Sequence, residues 1–142
     1  MSAPLRCAHV TVPYTELEAG IEKLDRLPPP RYVVFTADPD PATGLPWCPD
    51  CVRALPAVRR TMEAQGAALL EVGVGQRADW KGNAAHPCRT DPRFNVGGVP
   101  TLVHWKGGEE AGEKLGAELE NAASPEEAVA VVAKFILDTS GK

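Results

Sequence analysis

Four cysteines, Cys7, Cys48, Cys51 and Cys88, are the residues best able to do covalent chemistry in this 142-residue chain. Two of them lie close together in the segment Trp47-Cys48-Pro49-Asp50-Cys51. Pro49 suits the first position of a helix, where its missing N–H costs nothing, and Val52, Leu55, Val58, Arg59 and Met62 continue at helical spacing. A thiol on that first turn sits near unsatisfied backbone N–H groups and the positive end of the helix dipole, which favour its thiolate. Cys48 is therefore the expected nucleophile. Cys51 can reach back onto a mixed disulfide between Cys48 and a substrate, which makes it the expected resolving thiol. The carboxylate of Asp50 should oppose the Cys48 thiolate by like-charge repulsion and hold the couple at the reducing end of the range, roughly −270 to −200 mV. Asp50 also reads as a first-turn acid that complements the helix dipole.

These thiols need elements to hold them. A strand is expected around residues 8–12, then a helix opened by a capping box in Thr15-Glu16-Leu17-Glu18, with Leu17, Ile21, Leu24 and Leu27 on one face and Pro28-Pro29-Pro30 as its stop. Tyr32-Val33-Val34-Phe35-Thr36 is a β-branched and aromatic run, the signature of a strand buried on both faces. Residues 37–46 hold three prolines, two aspartates and a glycine and read as a loop delivering Trp47 and Cys48. The helix that follows should kink at Pro56. Residues 68–74 and 101–105 read as further strands, with Gly107-Gly108 turning into a short strand near Glu113-Lys114-Leu115. Ser124-Pro125-Glu126-Glu127 caps a final helix whose apolar face is Val129, Val132, Phe135 and Ile136. The order predicts an α/β fold in one domain, residues 1–142, with the cysteines at a strand-to-helix turn where open α/β sheets place their sites.

Composition narrows the function. No apolar run approaches the roughly 18 residues that span a bilayer, and the start of the chain lacks a signal-peptide core. Four unevenly placed cysteines do not make the disulfide framework of a secreted domain, so a reducing, cytoplasmic setting is expected. A formal charge of −4 without a Lys/Arg cluster argues against nucleic-acid or anionic-membrane partners. A monomer without a cofactor is expected. Cys88, in a turn-rich stretch, should be dispensable for turnover.

Two other classes can be built from the same residues. Cys48, Cys51, His86 and Cys88 have the ligand types of a tetrahedral zinc site, although His86-x-Cys88 is an unusual second pair. A redox-sensing binding module would use the same thiols without turnover. His9 and His104 read as structural strand residues, Cys7 as a free thiol near the terminus, and Trp47 as one wall of a substrate surface. By its residues alone Pro100 reads as a proline at a strand start, with a cis bond as the alternative.

Trp47-Cys48-Pro49-Asp50-Cys51, Val52-Arg53-Ala54-Leu55-Pro56, Val72-Gly73-Val74-Gly75, Ala78-Asp79-Trp80-Lys81 and Val99-Pro100-Thr101-Leu102 together resemble the Clot family of thioredoxin-related proteins, also called thioredoxin domain-containing protein 17. The resemblance covers most of the chain. It implies a thioredoxin-like fold, a central mixed sheet flanked by helices, and a cis bond at Pro100 facing the dithiol. It further implies a substrate surface formed by Trp47, Pro49, Asp50, Val99 and Pro100. Small disulfides such as cystine, and also nitrosothiols, are the implied substrates, and thioredoxin or thioredoxin reductase the electron donor. Against ordinary thioredoxins, Val34 takes the place of a buried aspartate that helps deprotonate the resolving cysteine, so the proton must leave by another route. Against the family, residues 82–91 form a longer stretch. Residues 37–46 are expected to narrow the docking surface beside Cys48.

Overall fold

A computed structural model describes residues 8–142, so Cys7 lies outside the described residues. Five strands, β1 (His9–Pro13), β2 (Arg31–Thr36), β3 (Ala68–Gly73), β4 (Thr101–Gly107) and β5 (Glu110–Leu115), form one sheet in the order β1-β3-β2-β4-β5. β3 runs parallel to both β1 and β2, while β4 is antiparallel to β2 and β5. The central position of β2 explains its composition: residues 32–35 are fully buried, so no position along them can be polar without a partner.

Alternation along β2 and β3 divides the core into two layers. Val33, Phe35, Leu70 and Val72 pack toward α1 (Leu17–Asp25), which buries Leu17, Ile21 and Leu24. Tyr32, Val34 and Leu69 face the layer formed by α2 (Pro49–Gln65) and α6 (Pro125–Thr139). The Tyr32 hydroxyl, 2.7 Å from Thr139 Oγ1, ties the last helix to the central strand. The expected α/β architecture is present, and no helix among the described residues is long and apolar enough to cross a membrane.

Several local expectations fail for identifiable reasons. The chain leaves β1 through a tight 3-10 turn, Tyr14–Glu16, and the α1 N-cap, Glu16, has no side-chain cap, so the box expected at Thr15 does not form. Helix α1 ends at Asp25, and Leu27 packs on the same layer from outside it, where Arg31 Nη1 donates to the carbonyls of Asp25 (3.0 Å) and Leu27 (3.2 Å). Helix α2 carries Pro56 in its interior and stops at Gly66, whose φ of 66° is the left-handed conformation glycine adopts without penalty. The crossover between β3 and β4 carries two short helices, α3 (Arg77–Trp80) and α4 (Pro87–Thr90), and a third, α5 (Ala117–Glu120), follows β5. Each is a single turn, too short for periodicity to reveal.

Candidate active site

Cys48 is the N-cap of α2, with Pro49 at the first helical position, so the dithiol stands where the chain turns from sheet to helix. Both sulfurs are free thiols. Cys48 is 9% exposed and Cys51 fully buried. The hydrogen bond from the Cys51 thiol lowers the pKa of Cys48 to about 6, helped by the backbone N–H groups of Cys51 and Asp50 and opposed by burial and the Asp50 charge. The same interaction raises the pKa of Cys51, and burial raises it further. Asp50 thus acts in the expected direction and is outweighed, its carboxylate being engaged by Arg53. Arg53 also donates to the carbonyls of Glu120 (3.3 Å) and Ala122 (3.4 Å), which fixes the guanidinium between α2 and α5.

Three chain segments converge on the sulfurs. The Val99–Pro100 peptide is cis, and the Val99 carbonyl lies 3.6 Å from Cys48 Sγ. Trp47 is buried with its indole N–H donating to the Gly75 carbonyl at 2.8 Å, its own carbonyl taken by Arg77 at 3.0 Å, and the Arg77 guanidinium over its ring. Residues 37–46 fold back on themselves: Pro39 and Pro46 form a bridge, and Asp40 accepts from Ala42 N (2.8 Å) through its side chain and from Gly44 N (2.7 Å) through its carbonyl.

Around Cys48 the surface is a depression of about 250 Å³ lined by Trp47, Asp50 and Val99 together with Trp80, Lys81 and Glu120. Pro49 is exposed and Pro100 buried, and neither lines it. Loop 37–46 borders a different hollow, on the Cys51 side of α2, so the segment flanking Cys48 is the α3–α4 crossover. Arg89 of α4 stacks over Trp80 at 3.7 Å and donates to the carbonyls of Gly97 (2.8 Å) and Trp80 (3.1 Å), bracing one rim of the depression. The long stretch 82–91 therefore serves as a wall. Trp80-Lys81 carried a sequence signal, whereas Glu120 and Arg89 reach the site only through tertiary packing.

A model of the thioredoxin domain of thioredoxin domain-containing protein 17-like proteins matches residues 10–122. The chain belongs to that family. It is 37% identical over 105 residues to the thioredoxin-like protein Clot of Oryza sativa subsp. japonica, covering 70% of this chain and 74% of the relative. To the Clot protein of Arabidopsis thaliana it is 47% identical over 79 residues, 54% of this chain and 58% of the relative, so that match spans little more than half of the Arabidopsis protein. The crystal structure of thioredoxin NaTrxh from Nicotiana alata superposes with a TM-score of 0.54 at 16% identity, covering 99% of each chain, which shows the thioredoxin fold.

The fourth cysteine is set apart. Cys88 is fully buried, and burial, with the Asp91 charge, pushes its pKa up to about 12. Both ring nitrogens of His86 are committed, Nε2 to the Val74 carbonyl (2.8 Å) and Nδ1 to the Cys88 N–H (3.0 Å). Among the described residues no group of three or more His, Cys, Asp or Glu side chains is arranged to hold a metal ion, so Cys48, Cys51, His86 and Cys88 do not converge as ligands. His9 pairs with Glu71 at 2.8 Å, and His104 is buried against Tyr32, as structural residues would be.

Two outcomes follow from this geometry. Alkylation of the native protein at pH 5 to 9 should modify Cys48 with a rate that rises through about pH 6, while Cys51 and Cys88 stay unmodified until the protein unfolds. Mass spectrometry of the alkylated peptides reads this, and a Cys88 adduct formed as fast as that on Cys48 would contradict it. Gly75 has φ of +97°, and a Cβ there would lie 2.7 Å from Asp79 Oδ2. Gly44 is also left-handed, at +73°, but has open space around it. Gly75→Ala should cost more in urea unfolding than Gly44→Ala, whose strain alone is about 1 kcal/mol, and equal costs would show that the contact relaxes freely.

Proposed function

We propose that the chain is a cytoplasmic thiol–disulfide oxidoreductase that reduces low-molecular-weight disulfides such as cystine, and nitrosothiols, through Cys48 and Cys51. The observation that carries this reading is the asymmetry of the pair: Cys48 is at the helix N-terminus with its pKa near 6, beside a Cys51 thiol that remains protonated. At neutral pH the nucleophile is already a thiolate, and the second thiol is held in reserve. Cys48 Sγ attacks one sulfur of the substrate disulfide, and the other sulfur leaves as a thiolate that takes a proton from water. Cys51, once deprotonated, attacks Cys48 Sγ, the mixed disulfide breaks, and the second product thiol departs. Two electrons have then moved from the dithiol to the substrate, and the internal Cys48–Cys51 disulfide is returned to the dithiol by thioredoxin or thioredoxin reductase.

Preference for small substrates rests on the surroundings of Cys48. Its sulfur lies within a depression with Lys81 on its border and the carboxylates of Asp50 and Glu120 beside it, and burial and the neighbouring Asp50 raise the pKa of Glu120. Charges of both signs suit a zwitterionic amino-acid disulfide. A bulky protein disulfide would have to pass the rim braced by Arg89 and Trp80.

Cys51→Ser should accumulate a Cys48 mixed disulfide with cystine, detected as the mass of one added half-cystine, and Cys48→Ser should lose at least ~99% of turnover. Equal trapping by both variants would refute the assignment of roles. In an assay coupled to thioredoxin reductase and NADPH, the intact protein should turn over cystine readily and insulin at least ~10-fold less efficiently than an ordinary thioredoxin does. Comparable efficiency on insulin would rule out selection by the depression, and absence of turnover on either would favour a redox-sensing module.

A further inference from the structure

The resolving step sets a problem that the dithiol alone does not solve. Cys51 must become a thiolate, yet its sulfur is fully buried and no carboxylate stands at position 34 to receive the proton. The only buried carboxylate among the described residues is Glu71, which lies in register with Val34 on the neighbouring strand. That carboxylate is already held, by Arg59 at 2.6 and 3.0 Å and by His9 at 2.8 Å, and these partners lower its pKa despite burial. A carboxylate so stabilised is a poor base for a thiol.

One donor is aimed at the Cys51 sulfur, and the residue before it in the chain carries a second, unused one. The Ala37 N–H points at Sγ at 3.5 Å. Thr36 is 3% exposed, and its buried hydroxyl has no hydrogen-bond partner in the free dithiol. It lies close enough to Cys51 to favour that group's anionic form, which counters part of the upward shift caused by Cys48 and by burial. A buried hydroxyl without a partner is costly and calls for a compensating use. Cys51 also lines a half-open cavity of about 200 Å³ shared with Ala37, Pro39, Leu45, Arg59 and Glu71, roomy enough for water to take up a proton.

We propose that the Thr36 hydroxyl and the Ala37 N–H form a two-donor cradle for the Cys51 thiolate, so that the resolving step proceeds by stabilising the anion rather than by a dedicated base. The proposal rests on the reading of Cys51 as the resolving thiol. In the step, the Cys51 proton passes to water in the cavity, Thr36 turns its O–H onto the sulfur, and the thiolate attacks Cys48 Sγ. The Cys48–substrate S–S bond breaks, and the departing thiolate is protonated by water. Thr36 keeps its proton throughout.

Dithiobis-nitrobenzoate reports both steps, because attack by Cys48 releases the first chromophore and attack by Cys51 the second. In stopped-flow mixing, Thr36→Val should leave the first phase unchanged and slow the second roughly ten- to hundredfold, the range for losing a hydrogen bond to a charged group. The second phase should also move its pH dependence upward. Thr36→Ser, which keeps the hydroxyl, should restore the parent rate to within about threefold. Because valine replaces an unpartnered buried hydroxyl with a methyl in a central strand, Thr36→Val should be at least as stable as the parent in urea, an outcome that a purely structural role for Thr36 does not produce. A second phase as fast in Thr36→Val as in the parent, or equally slow in the valine and serine variants, would overturn the proposal. Persistence of the second phase in Cys51→Ser would instead remove the resolving role on which it rests.

Discussion

Two sulfurs on the first turn of one helix cannot both carry charge, and this constraint organises the site. The hydrogen bond between the Cys48 and Cys51 thiols lowers one pKa and raises the other, so a single proton sits on the inner sulfur while the outer one is free to react. The helix N-terminus adds two backbone donors on the outer side only. Burial enforces the division, since it disfavours charge on the inner sulfur. Other groups near the dithiol either temper this asymmetry, as Asp50, Thr36 and Ala37 do, or limit who meets it.

The limiting is done by segments that share few anchors. The Gly75 carbonyl accepts both the Trp47 indole N–H and the Asp38 N–H, while the Gly75 N–H donates to Asp38 Oδ1. One residue therefore fastens both ends of loop 37–46 to the end of β3, and its left-handed backbone brings the chain there without a side chain in the way. The loop, held in place, closes over the Cys51 side of α2, whereas the crossover helices flank Cys48. Each sulfur thus has its own surroundings: a charged, solvent-reached depression for the outer thiol and a more apolar cavity for the inner one.

Much of this was legible in the sequence because it depends on local rules. The central strand announced itself as an unbroken β-branched and aromatic run, and Pro49 announced the helix start whose backbone N–H groups help lower the Cys48 pKa. The cis bond at Pro100 came from resemblance, since a strand-start proline reads the same in either isomer. Long-range features were not legible. Nothing in Glu120 or Arg89 as residues says that they border Cys48, and the proline-rich loop, sequence-adjacent to Cys48, lies instead beside the inner sulfur. The repulsion expected from Asp50 was right in sign and outweighed, because the Cys51 thiol and the backbone N–H groups of the first turn stabilise the Cys48 thiolate more than that carboxylate opposes it.

That correction bears on redox poise. Stabilising the Cys48 thiolate favours the reduced state, so a lower pKa makes the couple more oxidising. A pKa near 6 is about one unit below the value of about 7 for thioredoxin and well above the value of about 3.5 found in strongly oxidising proteins. The displacement is therefore toward a less reducing couple than that of thioredoxin, well short of the strongly oxidising proteins. A couple displaced in that direction accepts electrons downhill from a more reducing dithiol and still passes them on to a disulfide of higher potential.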